Sequence, residues 1–76
     1  MLKARGNNVL SSRFRSVFVD GRRIRVANRF GTRTWCEFPS DLEACCSMAH
    51  IWSLCKTLGG MTIGEVSREL DNWRDA

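Results

Sequence analysis

The sequence predicts an α+β domain: a three-stranded antiparallel meander followed by a helical hairpin, in the order β-β-β-α-α. Three observations predict it. Short β-forming runs between Arg13 and Phe38 are broken by Asp20-Gly21 and by Arg29-Phe30-Gly31-Thr32. Residues 41–58 are rich in apolar side chains and hold no glycine or proline, as a helix requires. Ile63, Val66, Leu70 and Trp73 then recur at helical spacing. With 76 residues, 43% apolar and 26% charged, the chain has room for one domain and is too apolar to stay disordered.

Residues 1–12 lack periodicity and contain Gly6-Asn7-Asn8. They read as a flexible basic arm ahead of a single small α+β domain over residues 13–76. The first strand carries Phe14, Val17, Phe18 and Val19, and the second Ile24 and Val26. Asp20-Gly21 between them is a strong signal for a two-residue type I′ turn, which needs positive φ at both positions. With that loop, Val19 faces Arg22, Phe18 faces Arg23, Val17 faces Ile24, Ser16 faces Arg25 and Arg15 faces Val26. One face of the hairpin then holds Val17, Val19, Ile24 and Val26, a core face. The other holds Phe14, Ser16, Phe18, Arg23 and Arg25. Thr34 to Phe38 reads as the third strand, and Pro39 stops the sheet.

Ser40-Asp41-Leu42-Glu43 is a capping box that opens a helix over Asp41–Leu58, closed by Gly59-Gly60. Its apolar residues spread around most of the circumference. This predicts burial on more than one side and makes residues 41–58 the expected surface for a second copy of the chain or for another partner. Thr62-Ile63-Gly64-Glu65 is a second capping box, opening a helix from about Ile63 to Trp73.

Charge is divided unevenly. Residues 1–36 hold nine basic side chains and one acid, a net charge of +8, and residues 37–76 hold three bases and seven acids, a net charge of −4. Seven of the early bases are the arginines at 13, 15, 22, 23, 25, 29 and 33. Arginine forks onto phosphate with two hydrogen bonds, and aromatic rings between arginines can stack on bases. The expected binding residues are therefore Arg13, Arg15, Arg22, Arg23, Arg25, Arg29 and Arg33 with Phe14 and Phe18, on one solvent-facing side of the sheet. The partner this predicts is nucleic acid or a nucleoprotein complex, gripped mainly by its phosphates. The second reading is a protein-directed inhibitor or adaptor of the kind phages and mobile elements encode, anti-CRISPR proteins among them. Such a protein docks the same basic face on an acidic partner surface.

Catalysis and metal binding find little support. Cys36, Cys45, Cys46 and Cys55 form no Cys-x-x-Cys pair, and Cys46 with His50 offers two ligands where a structural zinc needs four. The cysteines at 45, 46 and 55 read as small apolar residues of the helix. No glycine-rich phosphate loop or paired catalytic carboxylates occur, so a non-enzyme without cofactor or metal is expected. No apolar run reaches membrane-span length, and the first residues lack the apolar core of a signal peptide, which predicts a cytoplasmic location and no membrane partner.

Residues 40–70, with Ser40, Leu42, the long apolar helix, Gly60, Ile63, Glu65, Val66 and Leu70, resemble the helical hairpin of the TSCPD domain, a small module associated with ribonucleotide reductases. That family's cysteine-proline motif is not reproduced, since Cys36 precedes Glu37. The resemblance implies a sheet with a helical hairpin and assigns no activity.

Overall fold

The computed structural model describes residues 1–75; Ala76, the last residue of the expected 13–76 domain, lies outside them. The chain is α+β, but its sheet has five strands rather than three. They are β1 (Lys3–Ala4), β2 (Val9–Ser11), β3 (Arg15–Asp20), β4 (Arg23–Asn28) and β5 (Gly31–Glu37), followed by α1 (Asp41–Thr57) and α2 (Ile63–Asp75). All neighbours pair antiparallel in chain order, so the sheet is a plain meander.

The two strands that the sequence does not announce, β1 and β2, lie within residues 1–12, the segment expected as an arm. The reason is apolar burial at two isolated positions. Leu10 is fully buried beside Val17, and Leu2 is buried under the loop that joins the helices. Leu2 and Met61 exchange two backbone hydrogen bonds, of 2.6 and 2.8 Å. Gly60, at φ +131°, makes room for this contact: a Cβ there would lie 2.9 Å from the Leu2 carbonyl oxygen.

The β3–β4 turn is Gly21-Arg22, one residue later than expected, so Asp20 pairs with Arg23, Val19 with Ile24 and Phe18 with Arg25. Positive φ is needed only at the first turn position, where Gly21 has +62°, which fits a type II′ turn. The displacement moves every cross-strand pair by two residues. Because side chains alternate with period two, the facing of each residue survives. Val17, Val19, Ile24 and Val26 do line the core side. A bulge between Ile24 and Arg25 leaves Trp35 as the extra residue of β5, so Cys36 and Arg33 both fall on the helix side, opposite Ile24 and Val26.

Both helices cover that one side. α1 lies against β1 to β4, with Ser40 capping it by accepting from the Glu43 amide at 3.2 Å. Its buried residues, Ala44, Ser47, Met48, Ile51 and Cys55, form a single stripe. Within one chain α1 is covered on one side only: Leu42 is 72% exposed, and Cys45, Cys46, Ala49 and Leu58 also face solvent. Thr62 caps α2, accepting from the Glu65 amide and donating to the Glu65 carboxylate, and α2 buries Val66 and Leu70. No helix among the described residues is long and apolar enough to cross a membrane.

Candidate polyanion-binding site

A meander places alternate turns at opposite ends of the sheet. The β1–β2 and β3–β4 turns share one end, called here the hairpin end. The β2–β3 and β4–β5 turns share the other, the turn end. This division separates the seven arginines, which do not share one face.

At the hairpin end, Arg22 lies 2.8 Å from Glu37, and Arg23 approaches the same carboxylate at 3.6 Å. Arg25, on the outer side of β4, lies 3.4 Å from Asp20, and its side chain is 32% exposed. Three of the expected binding arginines are therefore spent on the protein's own acids. These pairs are largely solvated, so each stabilises the fold by only about 0–1 kcal/mol. Their larger effect is to weaken the positive field where a phosphate would touch, with two carboxylates set against three guanidiniums. By register the outer face of the sheet carries Lys3, Arg5, Arg23 and Arg25 against Asp20 and Glu37, so about half of its basic charge is offset. Phe18 sits half-buried on that face between Val9 and Arg25.

At the turn end the arrangement differs. Arg13, Arg15, Arg29 and Arg33 are exposed, and no carboxylate among the described residues lies within ion-pair distance of any of them. Arg13 lies in the β2–β3 turn and Arg15 follows it on β3, while Arg29 lies in the β4–β5 turn and Arg33 follows it on β5. Arg15 and Arg33 lie on the helix side by register, at positions that the helices leave exposed. The guanidinium of Arg13 sits 5.2 Å from the centre of the Phe14 ring, and that of Arg29 sits 4.8 Å from the centre of Phe30. Phe14 is 61% exposed and Phe30 is 84% exposed. Asn28 closes the β4–β5 turn: its Oδ1 accepts from the Phe30 amide at 2.8 Å. Thr62 and Ile63, at the start of α2, border Phe14 and Arg15.

Phe30 is not among the expected binding residues, because Arg29-Phe30-Gly31-Thr32 reads as a turn. Its signal in the sequence is the Arg-Phe dipeptide, which occurs at 13–14 and again at 29–30. The structure brings both copies to the same end.

The cysteines divide into two kinds. Cys36 and Cys55 are buried, whereas Cys45 and Cys46 are exposed, against the expectation of core packing on α1. Burial pushes the Cys55 thiol above its ordinary value, and it donates to the Leu2 carbonyl at 3.1 Å. It is held protonated at neutral pH and is a poor nucleophile. Arg74 donates to Cys36 Sγ at 3.3 Å, and His50 stacks on Trp73 with ring centres 4.7 Å apart. Among the described residues, no three His, Cys, Asp or Glu side chains converge on a metal site. A cleft of about 810 Å³ runs between the start of α1 and the end of α2, lined in part by Leu42, Cys46 and Trp73. In comparisons with protein-family models, curated proteins and solved structures, nothing matches this chain.

Proposed function

We propose that this chain is a non-enzymatic binding protein whose turn-end arginines, Arg13, Arg15, Arg29 and Arg33, engage nucleic acid or a nucleoprotein complex mainly through phosphates. One observation carries the reading. These four guanidiniums are exposed, share one end of the sheet and lie outside ion-pair distance of any carboxylate among the described residues. Four unpaired cations held together repel one another, and a polyanion relieves that repulsion while accepting forked hydrogen bonds.

The test is a titration of DNA and RNA at several salt concentrations. Four neutralised phosphates correspond to a fall of log affinity with log salt at a slope of about −3 to −4, smaller than if all seven arginines took part. Absence of binding to either polymer at ~50 mM salt would overturn the reading. The second reading, a phage-type inhibitor or adaptor that docks on an acidic protein, uses the same four arginines. It draws support from the exposed Leu42 and Trp73 beside the helix cleft, an apolar feature that a phosphate ligand leaves unused. A partner that survives nuclease treatment, together with no affinity for bare nucleic acid, favours it.

A further inference from the structure

We infer that the turn end takes single-stranded nucleic acid, with one base stacked on Phe14 and another on Phe30. The inference rests on the reading of that end as a nucleic-acid surface and adds the physical form of the ligand.

The two turns repeat one local device. In each, an exposed phenylalanine follows an arginine whose guanidinium lies against the ring, at 5.2 Å for Phe14 and 4.8 Å for Phe30. The guanidinium occupies part of each ring and leaves most of it to solvent. It also sets a positive charge beside the open ring. A base that stacks there brings its own phosphate within reach of the same arginine, so ring and charge act on one nucleotide.

The rest of the end links the two devices. Asn28 stands between them, paired with Arg15 across the strands and holding the Phe30 amide. Shallow hollows open on either side of Asn28, one bordered by Arg13, Phe14 and Arg15 and the other by Phe30 and Arg33. The two turns are two strand spacings apart, about 10 Å, a span that a short extended oligonucleotide covers. Duplex bases are buried in their own stack and present edges, not faces, whereas a single strand can splay its bases onto rings. Every base has such a face, so the site tolerates many sequences. The 2′-hydroxyl plays no part in ring stacking, so single-stranded DNA and RNA both qualify.

The test uses the full chain with a dye-labelled oligothymidylate of about twelve nucleotides, an oligouridylate, a duplex of equal length and a polyglutamate of equal charge. The single strands are expected to bind more tightly than the duplex. Phe14→Ala and Phe30→Ala should each weaken single-strand binding roughly fivefold or more, while duplex affinity changes less than twofold. Phe14→Trp and Phe30→Trp should retain single-strand binding, because the larger ring also stacks. Both phenylalanines are exposed, so thermal unfolding of the alanine variants should match the parent. Unchanged single-strand binding in both alanine variants, or equal losses for single strand and duplex, would overturn the stacking inference and leave the phosphate reading intact. Polyglutamate binding as tight as that of oligothymidylate would overturn it in favour of an acidic protein surface. Failure of every nucleic acid to bind, by contrast, removes the proposed function itself.

Discussion

At the hairpin end, Arg22 and Arg23 share Glu37 and Arg25 leans on Asp20, whereas at the turn end Arg13, Arg15, Arg29 and Arg33 face water with two phenylalanines beside them. The two ends draw on the same residue type from the same stretch of chain. They differ because β5 returns Glu37 beside Arg23, and because Asp20 precedes the turn that Arg22 completes. Net charge counts arginines; function depends on which of them remain without a counter-charge. An exposed ion pair adds little to stability, yet at contact distance it removes one cation from the surface a ligand meets.

The largest expected effect erases the comparison altogether. Leu10 is fully buried in the row that continues through Val17 and Val26 to Arg33. Leu10→Ala should cost about 2–5 kcal/mol, a large share of the roughly 4–11 kcal/mol usual for a domain of this size, as read by chemical denaturation. A loss below ~1 kcal/mol would mean that residues 1–12 are not part of the folded unit. The double change Arg15→Gln with Arg33→Gln sharpens the contrast: nucleic-acid affinity should fall at least roughly tenfold, and the salt slope should shrink by about 1.5. The matching change at the other end, Arg22→Gln with Arg23→Gln, should move affinity less than about threefold, because those cations are already engaged. Equal losses from the two doubles would dissolve the distinction between the ends. The smallest effect is that of Glu37→Gln. It should alter stability by less than ~1 kcal/mol and raise polyanion affinity about twofold, by releasing Arg22 and Arg23.

The features legible in the sequence are those decided within a few residues. Ser40 and Thr62 act as caps where the sequence places them, because a cap is a contact across three positions. The facing of Val17, Val19, Ile24 and Val26 is also legible, and it survives a turn displaced by one residue because the resulting register shift is even. β1 and β2 are not legible: strands of two and three residues are too short to show a period, and Leu2 and Leu10 are held by partners distant in sequence. The stripe on α1 is narrower than its composition suggests, since Leu42, Cys45, Cys46 and Ala49 are apolar yet face water. The candidate site is half legible. Its arginines and Phe14 stand out by type, but the ion pairs that withdraw Arg22, Arg23 and Arg25 depend on strand pairing, as does the meeting of Phe14 with Phe30 at one end. The likeness to the TSCPD helical hairpin rests on apolar helix positions and carries no part of the proposed function.

The most direct test is residue-resolved amide shift mapping during titration with an unlabelled oligothymidylate at low salt. The account predicts that shifts concentrate at residues 12–16 and 28–33 and leave residues 20–23 and Glu37 nearly still. Shifts centred on the Gly21-Arg22 turn, or spread evenly over the outer face of the sheet, would contradict it.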